Sequence, residues 1–159
     1  MPIRQKGVAM DLLRYKWLIP CVLVYVMIMS VLFCSAQEID LDIIARIESN
    51  NNPNAYNSTS GAVGMYQITR ICLEDYTNYH KTKYLLSEMF DPIKAKIVAN
   101  WYMNKRIPQM LKHYKRKDTI ENRLWCYNAG IGMLLKGIKP KETKEYINKY
   151  KALQLLKAR

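Results

Sequence analysis

Apolar residues in this chain return every three or four positions, and this helical period constrains the fold more than any other feature. Ile39, Ile43, Ile44 and Ile47 share one face of a predicted first helix, which Asp40 can cap. Met65 to about Tyr79 repeats the spacing. Asp91-Pro92 is a start signal, Asp as cap and Pro in the first turn. The helix it opens carries Ile93, Ile97, Trp101 and Tyr102 and fades near His113. Asp118 and Glu121 form a capping pair for a helix holding Ile120, Leu124 and Tyr127, which Gly130 can end. Gly137 and Pro140 punctuate a turn, and a last helix is expected from about Lys141 to Lys157. Between the first two helices, SNNNPNAYNSTSG reads as a loop. Few stretches alternate at period two, and there is no internal repeat. The expected fold is all-α, a mainly helical single compact domain.

Residues 1–36 stand apart from this pattern. Arg4, Lys6, Arg14 and Lys16 make a basic start, and Trp17 to Phe33 then runs 17 residues without a charge. Cys34-Ser35-Ala36 supplies small residues at the spacing of a signal-peptidase site, before polar Gln37-Glu38. The segment reads as a secretory signal or, uncleaved, as an N-terminal membrane anchor at the short edge of what spans a bilayer. Phe33 is too large beside Cys34 for a lipid-attachment site. Both readings put residues 37–159 outside the inner membrane, in the periplasm or on that membrane's outer face. Membrane contact is then expected only through the N-terminal segment, if it stays uncleaved.

Without residues 1–36 the chain loses four bases and one acid, leaving 21 Lys and Arg against 12 Asp and Glu, a net charge of +9. A basic exported domain suits an anionic polymer: peptidoglycan with its peptide carboxylates, teichoic acid or nucleic acid. Nucleic acid is not the expected partner, because the bases read as spread over helix faces and export removes access. Cys72 and Cys126 remain after the leader, either as a pair or as two separately buried thiols. His80 and His113 stand alone, so no metal site and no cofactor are expected.

Glu48 carries the chemistry in this reading. Taken alone, a glutamate at a helix end is a solvated surface residue. Beside Ile43, Ile44 and Ile47, and just before a polar loop, it can be half desolvated. Desolvation raises a carboxyl pKa, so the group can hold a proton near neutral pH and act as a general acid. Glycosidic cleavage needs such a proton on the leaving oxygen. A search for a second acid finds Glu74, Asp75 and Asp91, none in a recognisable motif.

The residues after Glu48 supply context. Glu48-Ser49 follows an apolar helix, then a loop of Asn, Pro and Ala residues. Gly61, Gly64, Met65, Tyr66, Gln67 and Ile68 come next, then Cys126-Tyr127-Asn128-Ala129-Gly130, and finally KETKEYINKY with Tyr146. In this order and spacing the chain resembles the soluble lytic transglycosylase family, which shares the goose-type lysozyme fold. Asp91-Pro92 and the helix through Trp101-Tyr102 match the family as well. Two positions depart from its pattern: Met65-Tyr66 stands for Leu-Met, and Cys126 for Ala. Each part has a physical rationale. Gly61 and Gly64 let backbone approach a sugar closely. Gln67 offers donors and an acceptor to an N-acetyl group or hydroxyl. Tyr66 and Tyr127 offer flat faces for sugar rings. Asn128 can donate to a carbonyl or orient an acetamido group, and Ser49 can bond Glu48 or nearby backbone.

The resemblance implies a peptidoglycan lytic transglycosylase, a lyase for local wall remodelling whose substrate is the glycan strand. Glu48 is its catalytic residue. Ser49, Met65, Tyr66, Gln67, Tyr127, Asn128 and Tyr146, which faces the groove, are its substrate-binding set. It implies one catalytic carboxylate, with the muramoyl C6 hydroxyl as nucleophile and a 1,6-anhydro product. The alternatives are a lysozyme-like hydrolase of the same bond and a non-catalytic wall-binding assembly protein. Small exported proteins of this kind commonly serve an envelope-spanning secretion, conjugation, pilus or phage machine.

Overall fold

Two asparagines decide where the first helix stops. In the computed structural model, which describes residues 38–158, helix α1 spans Leu41–Ser49. Asp40 caps it by accepting from the Asp42 N–H at 3.0 Å. Asn50 and Asn51 follow in the left-handed region, φ 54° and 63°, which asparagine tolerates better than most residues. Their N–H groups donate back to the carbonyls of Arg46 and Ala45, each at 3.1 Å. Glu48 therefore sits on the last turn of a helix whose other side buries Leu41, Ile43, Ile44 and Ala45. The leader or anchor read in residues 1–36 lies outside the described residues. Among the described residues no helix is long and apolar enough to cross a membrane.

The loop after α1 holds structure that its composition hides. Tyr56–Asn57 (β1) pairs antiparallel with Ala62–Val63 (β2). The Asn57 Oδ1 accepts from the N–H groups of Thr59 and Ser60 at 3.0 and 3.1 Å, shaping the tip. Val63 then pairs with Ile68 in an isolated bridge. That bridge corrects the helix expected from Met65. The bridge folds Met65–Ile68 into a turn, with Gly64 and Gln67 at φ 77° and 50°. Helix α2 starts only at Arg70 and runs to His80, capped by Thr69. Gly64 is needed for packing, not for sugar access. A Cβ there would stand 2.0 Å from the Met89 carbonyl oxygen, whereas one on Gly61 would meet nothing within 4 Å.

A 3-10 turn, Leu86–Phe90, leads into α3, Pro92–Trp101, with Asp91 capping as expected. The apolar face differs from the expected one. Ile93 and Ile97 are exposed, and Ala95, Val98, Ala99 and Trp101 are buried. Two alanines on that face allow close helix approach, which bulkier isoleucines would prevent. The rod continues through a π-helical turn, Tyr102–Arg106, into α4, Ile107–His113. Pro108 explains the turn: it donates no N–H and would clash with the carbonyl four residues back in a regular helix. The π turn also projects Asn104. Its Oδ1 accepts from the Ile39 N–H at 2.8 Å and from Arg123 at 3.3 Å, fastening the start of α1.

Helix α5, Ile120–Ala129, is capped by Thr119, not by the Asp118–Glu121 pair. Asp118 is drawn away by buried Arg123, which donates to both its oxygens at 2.6 and 2.8 Å. Glu121 accepts from Lys139 and Lys151. Gly130, at φ 81°, ends α5, and a short helix α6, Ile131–Leu135, fills the stretch before Gly137. Helix α7, Lys141–Lys157, then crosses α1 and α5. Apart from the two-residue strands the described residues are helical and turn, the mainly helical class that the period indicates. Cys72 and Cys126 are two separate buried thiols.

The glycines of the turn give a paired prediction. Gly64→Ala should cost at least about 3 kcal/mol, from overpacking plus left-handed strain. Gly61→Ala should cost about 1 kcal/mol, from strain alone. Urea unfolding midpoints of the two variants against the parent measure the difference.

Candidate active site

Glu48 faces Tyr146 across the crossing of α1 and α7. The Tyr146 hydroxyl donates to Glu48 Oε1 at 2.7 Å. The carboxyl is half-buried, and burial pushes its pKa from 4.5 up to about 7, against the opposing pull of the Tyr146 hydrogen bond. The charge of Glu142 adds to the rise. Tyr146 is 6 % exposed. Burial, with the Glu48 charge beside it, holds its phenol well above the ordinary value, so it remains a donor. Near neutral pH the pair supplies a carboxyl poised between its two protonation states.

Glu48 lines a cleft of about 380 Å³, in the size range of ligand sites. Gln67, Tyr127 and Asn128 line it too, so four of the expected residues meet there. Each is held from behind. Gln67 takes its left-handed backbone in the turn after Gly64, and its Nε2 donates to the Gly64 carbonyl at 3.0 Å. The Tyr127 hydroxyl donates to the Tyr66 carbonyl at 2.6 Å. Asn128 Oδ1 accepts from the Thr143 hydroxyl at 2.6 Å, which leaves its NH₂ group free to donate.

The other expected residues stand behind the cleft. Tyr66 is 2 % exposed and belongs to the core, so its ring offers no face to a sugar. Its carbonyl is the group that matters, since it holds Tyr127. Ser49 does not reach Glu48. Its hydroxyl donates to the carbonyls of Ala45 and Met65 at 3.3 and 2.9 Å, tying the end of α1 to the turn. Met65 is half-buried against the core. Tyr146 is buried beneath Glu48 and does not line the groove.

Several lining residues escaped the sequence reading: Asn57, Ile71, Tyr102 and Glu142 among them. Glu142 is the consequential one, a second carboxylate in the cleft, exposed on the first turn of α7. Its signal was present in the sequence. It precedes Tyr146 by four residues, and positions i and i+4 share a helix face. Asn57 needed the hairpin to be recognised, and Ile71, 76 % exposed, needed the true start of α2. Glu74 is exposed on α2, and Asp75 is spent on Arg106 at 2.6 Å. Among the described residues no group of three or more His, Cys, Asp or Glu could hold a metal ion.

The arrangement can deliver a proton from Glu48 to a bound oxygen and present amide donors from Gln67 and Asn128 beside it. Tyr127, Tyr102 and Ile71 give it apolar walls. No curated protein and no solved structure matches the chain. The family model of the transglycosylase SLT domain matches residues 37–150. The match spans α1, with Glu48, through Tyr146 and Tyr150 on α7, and the chain belongs to the transglycosylase SLT domain family.

Proposed function

We propose that the chain cleaves the β-1,4 bond between N-acetylmuramic acid and N-acetylglucosamine in peptidoglycan, and that Glu48 carries the chemistry. Membership of the family supports lytic-transglycosylase-type activity on peptidoglycan in general. The observation behind the finer reading is the Glu48 carboxyl, its pKa raised to about 7 in a cleft with amide donors and aromatic walls.

The steps follow from that carboxyl. Protonated Glu48 gives its proton to the glycosidic oxygen, and the C1–O bond breaks as positive charge grows at C1. Asn128 or Gln67 can orient the 2-acetamido group against that charge. The Glu48 carboxylate then takes the proton of the muramoyl C6 hydroxyl, whose oxygen bonds to C1 of its own ring. The product is a 1,6-anhydromuramoyl end, and no water is consumed. Proximity replaces the activation of an outside nucleophile. Tyr146 acts as a positioning residue, fixing the Glu48 rotamer and favouring the carboxylate that the second step needs.

Glu142 favours a second reading. A second carboxylate in the cleft could act as base for a water, giving a hydrolase with ordinary reducing ends. Its negative charge equally serves the first reading, because it helps Glu48 keep its proton. Residues 1–36 then serve as the export signal or anchor, and the domain works in the periplasm or on the outer face of the inner membrane. Its role there would be local wall remodelling, a step that envelope-spanning machines require.

Two measurements test this. Purified sacculi digested with the parent chain should release products one water lighter than reducing-end muropeptides by mass spectrometry, and Glu48→Gln should release none. Reducing-end products would replace the transglycosylase reading with hydrolysis; equal lysis by Glu48→Gln would remove Glu48 from the chemistry. The pH profile of kcat/KM should lose activity as pH rises through about 7, where free Glu48 gives up its proton. Tyr146→Phe removes the hydrogen bond that favours the carboxylate, so its alkaline limb should move to higher pH. A lower rate with an unmoved limb would mean that Tyr146 is only structural.

A further inference from the structure

The +9 charge of residues 37–159 is not evenly spread. Lys112, His113, Lys115, Arg116 and Lys117 are all exposed around the end of α4 and the turn beyond it. Lys115 makes that turn at φ 53°. Arg116 donates to the Leu135 carbonyl at 3.3 Å, which brings the end of α6 and exposed Lys136 to the same place. Among the described residues no ion pair involves Lys112, Lys115, Arg116, Lys117 or Lys136. The nearby acids are occupied: Asp118 by Arg123, Glu121 by Lys139 and Lys151. From sequence the bases read as spread over helix faces rather than gathered in one stripe. Lys112, Lys115, Arg116 and Lys117 are close neighbours in the chain, and the Arg116 hydrogen bond brings Lys136 to them from about 20 residues on.

A groove of about 390 Å³ lies within this cluster, lined by Pro108, Gln109, Lys112, Arg116 and Asp118. It has cations on its walls, an amide donor in Gln109 and an apolar surface in Pro108. The cations of this concave site can pair with the carboxylates of an acidic chain, and its one acid, Asp118, is already neutralised by Arg123. Helix α6 runs between Gly130, which lines the catalytic cleft, and Lys136, at the edge of the cluster.

We propose that this groove is a second, non-catalytic docking site for the acidic peptides carried by the wall polymer. The inference rests on the proposed substrate. Carboxylates of the peptide would pair with Lys112, Arg116 and the lysines around them while a glycan strand occupies the cleft. Two weak contacts on one polymer then act together, because binding at one raises the effective concentration at the other. The groove would favour peptide-bearing strands over bare ones.

The test uses the full chain carrying Glu48→Gln, so the polymer stays whole. It compares this parent with a version that adds Lys112→Glu, Lys115→Glu and Lys117→Glu. Both are sedimented with purified sacculi, with uncharged chitin, and with phosphatidylglycerol–phosphatidylcholine vesicles. Binding to sacculi should fall about tenfold in the triple variant, the gap should close in high salt, and chitin should show none. Soluble stem peptides should displace the parent from sacculi, a readout that needs no patch variant. Unchanged binding to sacculi would overturn the proposal. So would a loss on vesicles equal to or larger than that on sacculi, which would assign the cluster to an anionic membrane. Digestion by the wild-type chain separates the two levels: no glycan cleavage with patch-dependent binding would sink the catalytic reading alone.

Discussion

The Glu48 carboxyl and the Tyr146 hydroxyl meet at 2.7 Å where α1 crosses α7, and the remaining structure holds them there. Asn50 and Asn51 end α1 one turn after its buried face, which leaves Glu48 at the rim of the core. One turn further along α7, the Tyr150 hydroxyl accepts from the Asp40 N–H at 2.9 Å, so the two tyrosines fasten both ends of α1. The π turn before Pro108 aims Asn104 at Ile39 and secures the same helix from the other side. Helix α1 has little freedom to move its carboxyl.

That placement costs stability. A carboxyl with a pKa of 4.5 in the unfolded chain and about 7 in the folded one binds its proton more tightly when folded. Its favourable contribution is full below pH 4.5 and is lost as pH rises through about 7, on the order of 3 kcal/mol over that window. The desolvation that would let Glu48 act as the acid of the proposed reaction is the same desolvation that burdens the fold. Ser49 with Met65, Tyr66 with Tyr127, and Thr143 with Asn128 offset it by tying α1 to the turn, the turn to α5, and α5 to α7 behind the cleft.

Helix positions were mostly legible in the sequence, because caps and apolar period are local: Asp40, Asp91 with Pro92, Gly130 and the extent of α7 all read true. The misreadings came from tertiary contacts. The Val63–Ile68 bridge pulled Met65–Ile68 out of a helix, and Arg123 claimed Asp118 from its cap. At the site, ordered motifs named Glu48, Gln67, Tyr127 and Asn128, which the fold brings to one cleft. They could not separate lining from support, since Tyr66 and Tyr146 are aromatic whether they face a sugar or the core. Glu142 was missed because it belongs to no motif as a carboxylate; only the shared helix face with Tyr146 points to it.

The proposed cleavage begins with Glu48 holding a proton near neutral pH. Its carboxyl carbon, labelled and followed by NMR across a pH titration of the folded chain, reads that directly. The midpoint should lie near 7, fall in Glu142→Gln and rise in Tyr146→Phe. A midpoint near the ordinary 4.5, unmoved by either substitution, would contradict it.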